Sequence, residues 1–147
     1  MCGISGFWRL SADKSEEWLN ETASTMLRTL VHRGPDGAGL VSFDGVCLGM
    51  RRLAILDLSE NGRQPMSNED GSVWLVFNGE IYNFIELRCE LGKLGHQFVT
   101  ESDTEVVLAA YAQWGQDCQF KLNGMWAFAI WDAEEKFLFL SRDRFGV

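Results

Sequence analysis

No run of lysine or arginine occurs in the 147-residue sequence, and the formal net charge is -8. Such a surface repels a phosphate backbone, which argues against a nucleic-acid partner. No apolar stretch approaches the ~20 residues needed to span a bilayer. The opening Met1-Cys2-Gly3-Ile4-Ser5-Gly6 has neither the basic start nor the apolar core of a secretory signal. The cysteines Cys2, Cys47, Cys89 and Cys118 form no Cys-x-x-Cys pair, and His32 and His96 stand apart from them, so no metal site is expected. With no mark of secretion, a disulfide framework is not expected either, and the expected location is the cytoplasm. Repeats and low-complexity segments are also lacking.

Hydrophobic residues make up 46% of the chain and charged residues 23%, and six Trp and ten Phe supply bulky core groups. One domain over 1–147 with a sizeable core is expected. Gly3 to Leu10 reads as a strand, and Ser15 to Leu30 as a helix with Ser15 as its cap. His32-Arg33-Gly34-Pro35-Asp36-Gly37 is a loop. Leu40–Phe43 and Val46–Met50 flank Asp44-Gly45 as a hairpin. Leu58 to Gly71 reads as a long loop, and Ser72 to Phe77 as a strand that Asn78-Gly79 ends. Helices are expected over Asn83–Leu94 and after Ser102 or Asp103. Met125–Trp131 and Lys136–Ser141 form a last hairpin.

Strands and helices do not alternate one for one, so antiparallel sheets covered by helices fit better than a doubly wound parallel sheet. The last hairpin is apolar at nearly every position, which calls for cover on both faces and so for stacked sheets between helical layers. The abrupt apolar end at Val147 suggests a natural chain that continues.

Cys2 carries the chemistry of interest. Initiator methionine is usually excised ahead of a small residue, which leaves a thiol and a free α-amine on Cys2. An unperturbed thiol ionises near ~8.5 and an α-amine near ~7.7–8.0, so the amine can accept the thiol proton. A retained Met1 would hold that amine in a peptide bond and remove the base. Attack on an amide needs donors for an oxyanion, and Asn78-Gly79 offers a side-chain NH2 and an unobstructed backbone N–H. Arg51 or Arg52 can clamp a carboxylate. Glu80 and Asp103 can hold an ammonium. Taken singly, each has a plainer reading: an ordinary second-position Cys, a turn, a surface arginine, a helix cap. His32 belongs to a loop that braces the site rather than to the chemistry, and His96 to a surface turn. Tyr82 and Asn83 serve packing and loop hydrogen bonds. Cys47, Cys89 and Cys118 read as small core residues.

Together the pieces form a pattern. Met1-Cys2-Gly3-Ile4-Ser5-Gly6, His32-Arg33-Gly34-Pro35-Asp36-Gly37, Arg52-Leu53-Ala54-Ile55-Leu56-Asp57, Gln64-Pro65-Met66, Asn78-Gly79-Glu80-Ile81-Tyr82-Asn83, Ser102-Asp103-Thr104-Glu105, Leu122 to Ala129 and Arg142-Asp143 occur in this order. Nearly end to end, the chain resembles the class II glutamine amidotransferase domain of glutamine-hydrolysing asparagine synthetases. The resemblance implies an α+β fold, the four-layer α-β-β-α sandwich of N-terminal nucleophile hydrolases. It implies Cys2 as the nucleophile that forms a thioester with glutamine, and Asn78 and Gly79 as the oxyanion hole. It places Arg52 on the substrate carboxylate, Leu53, Ala54, Ile55 and Leu56 along the pocket, and Glu80 and Asp103 on the ammonium.

The resemblance further implies that ammonia passes to an ATP-dependent synthetase domain that amidates aspartate, with a homodimer a further possibility. ATP and Mg are expected only in that domain, since no nucleotide loop of either the Ser-Gly-Gly or the Walker type lies in these 147 residues, and no cofactor is expected in this part. Three other readings stand beside it: the same glutaminase serving another acceptor such as a sugar acid, another class II amidotransferase, and a silent interaction domain.

Overall fold

The computed structural model describes residues 2–9, 14–43, 45–54 and 62–147. Strand β1 (Gly3–Trp8) leads to helix α1 (Glu16–Thr29). The Ser15 side chain accepts from Trp18 N, and two acids occupy the first turn where the helix dipole favours them. Strands β2 (Gly37–Phe43) and β3 (Val46–Arg52) follow as the expected hairpin, though longer than its apolar core, because Gly37 pairs with Arg52 at the open end. These strands build an antiparallel sheet in the order β1-β3-β2.

A second antiparallel sheet has the order β4-β5-β6-β7, from β4 (Met66–Ser67), β5 (Val73–Ile81), β6 (Gly124–Asp132) and β7 (Phe137–Arg142). Helices α2 (Phe84–Lys93) and α3 (Asp103–Trp114), with a 3-10 segment at Gly115–Phe120, lie between β5 and β6 in sequence.

Two expectations need correction. The stretch read as a long loop contains β4, whose two residues form a strand only because they pair with Trp74 and Leu75. Asn78-Gly79 does not end β5. The strand runs on to Ile81, paired with β6 through Asn78↔Ala127 and Gly79↔Trp126. Gly79 is glycine for the sake of that pairing, because a Cβ there would collide with the Met125 carbonyl oxygen and approach Trp126 Cα to 2.8 Å.

The strand pleat sorts side chains into layers. Val46, Leu48 and Met50 of β3 meet Val76 of β5 and Ala129 and Trp131 of β6, a core held between the two sheets. Cys47, on the other face of β3, packs with Leu19 and Ala23 of α1. Leu75, Phe77 and Ile81 of β5 pack with Leu87 and Leu91 of α2 and Val106, Val107 and Ala110 of α3. The order α1, first sheet, second sheet, α2 with α3 is the expected α-β-β-α sandwich. β7 lies at an edge, and its Leu140 is exposed. Among the described residues, no helix is long and apolar enough to cross a membrane.

Candidate active site

The pleat that builds the inter-sheet core also gathers the site. On β1 the even positions face the second sheet: Ile4 packs in the inter-sheet core, and Trp8 meets Trp131 at a centroid distance of 5.6 Å. Cys2 continues that row and packs against the same core. On β3, Arg52 continues the row Val46, Leu48, Met50. On β5, Asn78 and Glu80 continue the row Trp74, Val76. Pairing fixes which ends meet. Trp8 and Phe43 lie opposite Trp131 and Trp74, since Phe43 and Trp74 are 5.4 Å apart. The opposite ends, with Cys2 and Arg52 on one sheet and Asn78 and Glu80 on the other, therefore share one mouth of the sandwich.

Cys2 is half-buried there. Its Sγ accepts from the Leu53 N–H at 3.3 Å and donates to the Leu53 carbonyl oxygen at 3.5 Å. The remaining cysteines are placed differently. Cys47 and Cys118 are buried, and burial pushes both thiols up, Cys118 to about 11. Cys89 is exposed on α2, contrary to the expectation that it sits in the core. Leu87 and Leu91 face inward, and a residue two positions from each falls on the opposite side of the helix.

The loop at 32–37 braces the segment after β3, as expected. Asp36 N donates to the Arg52 carbonyl oxygen at 3.0 Å, Ala54 N donates to Asp36 Oδ2 at 3.0 Å, and Arg51 Nε donates to the Gly34 carbonyl oxygen at 3.1 Å. Gly34 lies so close to Arg51 and Arg52 that a Cβ there would strike the Arg51 carbonyl carbon and oxygen. Arg51 is thus occupied by the loop, on the face of β3 turned away from the second sheet. His32 is exposed in the turn. Of the pocket residues expected after Arg52, Leu53 and Ala54 are placed as above, and Ile55 and Leu56 lie outside the described residues.

Asn78 presents an amide to the inter-sheet mouth, and its Oδ1 is buried with no hydrogen-bond partner among the described residues. The Gly79 N–H points along the sheet instead. Val73 and Leu75 turn their backbone groups toward β4, and the antiparallel alternation turns those of Gly79 to the same side, past the point where β4 ends.

Asp103 opens α3, whose cap is Ser102, with Ser102 Oγ accepting from Thr104 N at 3.0 Å. Asp103 is only 5% exposed, and its Oδ2 accepts from Ile81 N at 3.0 Å. Burial pushes its carboxyl up to about 6, against the pull of the Ile81 N–H and with help from the charge of Glu80. Burial also raises the Glu80 carboxyl. Two carboxyls raised by burial, with the charge of Glu80 discouraging the ionisation of Asp103, suit a nearby cation.

Sequence reasoning left Gln64 without a role. Its Oε1 accepts from Phe77 N at 2.6 Å, and its Nε2 donates to Thr104 Oγ1 at 3.2 Å. Its only signal was a place in the Gln64-Pro65-Met66 motif. Asn83 makes loop hydrogen bonds as expected, accepting from Asn123 N and donating to the Lys121 carbonyl oxygen, whereas Tyr82 is exposed rather than packed. His96 is half-buried and meets Gln113 Oε1 at 3.0 Å.

Comparison with known proteins gives a consistent picture. A family described as a glutamine amidotransferase domain matches residues 1–147. The chain is 45% identical over 147 residues to asparagine synthetase [glutamine-hydrolyzing] 1 of Bacillus subtilis, covering all of this chain and 23% of that protein. It is 40% identical over 147 residues to asparagine synthetase B [glutamine-hydrolyzing] of Escherichia coli, again over its whole length and 26% of the relative. The amidase chyE of Penicillium rubens is 38% identical over 158 residues, with 23% of it covered. The chain thus spans about a quarter of the length of these curated relatives. Among solved structures, the glutamine phosphoribosylpyrophosphate amidotransferase of B. subtilis superposes with a TM-score of 0.77 at 23% identity, over 95% of this chain and 37% of that one. That likeness establishes the shared fold.

Proposed function

The chain belongs to the glutamine amidotransferase domain family, and from that premise we propose that it hydrolyses the side-chain amide of glutamine through a thioester on Cys2. The observation that carries this reading is the convergence at one mouth of the sandwich. The half-buried thiol, bracketed by the backbone of Leu53, opens on the same side as Asn78 and Glu80 of the facing sheet.

With Met1 removed, the α-amine of Cys2 takes the thiol proton, and the sulfur attacks the amide carbon of glutamine. Negative charge moves to the carbonyl oxygen, where the Gly79 N–H and the Asn78 NH2 receive it. Such preorganised donors are worth about 10²–10³ in rate apiece. As the tetrahedral adduct collapses, the carbon–nitrogen bond breaks, and the α-ammonium returns its proton to the departing ammonia. Water, deprotonated by the same amine, then cleaves the thioester to release glutamate and restore the thiol. Arg52 holds the substrate carboxylate, Glu80 and Asp103 hold its ammonium, and Leu53 and Ala54 line the pocket. The buried Asn78 Oδ1 supports a ligand group at this point, because a buried acceptor without a partner costs about 1–3 kcal/mol.

We further propose that residues 1–147 are the glutaminase domain of a longer chain. Its ammonia would amidate aspartate in an ATP-dependent domain, where ATP and Mg would act. The lengths and names of the asparagine synthetase relatives support this. Delivery to a different acceptor is a second reading, favoured by the similarity to an amidase. Free thiols throughout the described residues suit a reducing, cytoplasmic setting.

Cys2→Ala in the full-length, processed protein is expected to abolish glutamate release from glutamine without changing the melting temperature by more than a few degrees. Glutamate release at the wild-type rate would end the proposal. Mass spectrometry of the intact N-terminus must show Met1 removed in the active protein.

A further inference from the structure

Beyond β4, the outer edge of β5 is held by side chains among the described residues. Val73 donates to Asn68 Oδ1 at 2.9 Å, and Leu75 pairs with Met66. β4 ends there, and among the described residues no strand lies beside the next outward N–H groups, those of Phe77, Gly79 and Ile81. Phe77 donates to Gln64 Oε1 at 2.6 Å, and Ile81 donates to Asp103 Oδ2 at 3.0 Å. The Gly79 N–H stands between these two anchors, about 7 Å from each by the rise of a strand. The anchors themselves are tied. Gln64 Nε2 donates to Thr104 Oγ1 at 3.2 Å, and Thr104 follows Asp103 in the first turn of α3. One frame, made of Gln64, Thr104 and Asp103, therefore fixes the edge on both sides of Gly79.

We infer that Gln64 is a positioning residue for the Gly79 N–H, working with Thr104 to hold the edge of β5 so that this donor keeps its aim at the developing oxyanion. The inference rests on the glutaminase reading above. Gln64 satisfies the donor of Phe77 and not that of Gly79, so it shapes the hole without entering it. An unanchored edge strand can twist, and a misplacement of 1 Å at a reacting group costs about 10²-fold in rate. Gln64 itself holds neither end of glutamine, which the reading above gives to Arg52, Glu80 and Asp103, so the loss is expected in kcat.

The test uses the full-length protein with Met1 removed and measures glutamate release per active site, titrated with a glutamine analogue that alkylates Cys2. Gln64→Ala is expected to lower kcat by ~10–100-fold with KM for glutamine within about threefold of wild type. Thr104→Val lowers kcat in the same direction by less, and the double variant is no worse than Gln64→Ala alone, because the two residues act through one frame. A purely structural role predicts fewer titratable sites but a wild-type kcat at each. Wild-type kcat per site in Gln64→Ala, or a rise in KM that accounts for the whole loss, overturns the inference while leaving the glutaminase reading intact. A wild-type protein that is alkylated but releases no glutamate overturns both.

Discussion

On the proposed reading, in which Asp103 holds the substrate ammonium, one residue would link substrate recognition to pH. Burial, aided by the charge of Glu80, lifts its carboxyl from 3.8 to about 6. A carboxylate that must be ionised to hold an ammonium is then half-protonated near pH 6. The expected outcome is a kcat/KM for glutamine that rises with pH through about 6, and Asp103→Asn should remove that limb while raising KM. A flat wild-type profile between pH 5 and 7 would rule this out. Stability runs the other way. The folded-state pKa lies above the unfolded value, so the native chain binds the extra proton between about 3.8 and 6. That contribution is complete below pH 3.8 and is lost as pH rises through about 6, to the extent of about 3 kcal/mol at ~1.36 kcal/mol per unit. Denaturant midpoints should therefore fall for wild type relative to Asp103→Asn as pH goes from 4 to 7. The sequence names Asp103 for the ammonium, but the shift of its carboxyl was not legible there. Asp103 and Ile81 are 22 residues apart, and the burial that shifts the carboxyl arises only when α3 docks on β5.

At the scale of elements, legibility followed the range of the interactions that decide each one. The helix starts could be read because Ser15 and Ser102 act within three residues of themselves. Asn78-Gly79 was read as the end of a strand because local turn preference pointed that way, yet nine-residue pairing with β6 overrides it. The same override turns a plausible turn glycine into one required by a neighbouring backbone. The bracing loop at 32–37 was anticipated, but its mode was not: the Gly34 backbone packs directly on that of Arg51 and Arg52. Gly34→Ala is accordingly expected to displace the segment at 51–54, to destabilise by about 1–3 kcal/mol, and to impair glutamine hydrolysis beyond the loss of folded protein. Equilibrium unfolding in urea alongside activity per folded molecule provides the check, and a change confined to stability would show that the brace does not position the Leu53 backbone.

In the whole molecule, the inter-sheet core and the site are two ends of the same facing surfaces. The order of layers was legible from apolar patterning, since residues apolar on both faces demand cover. Which ends of the two sheets meet was not, because it depends on contacts such as Trp8 with Trp131. Leu48, 2% exposed between the sheets, should cost about 2–5 kcal/mol when changed to Ala. Leu140, 66% exposed on β7, should change stability by no more than about 0.5 kcal/mol. Thermal unfolding of the two variants distinguishes them, and equal effects would mean that the sheets are not held together as described. The strand β5 joins these ends, and its two-residue period makes chain length critical in one direction only. Deleting or adding a single residue between Trp74 and Asn78 would turn the amide of Asn78 toward α3 and bury it away from the thiol. The turn at 68–72 sits before the strand begins and outside that count, so drift in length, or a grafted reporter peptide, belongs there.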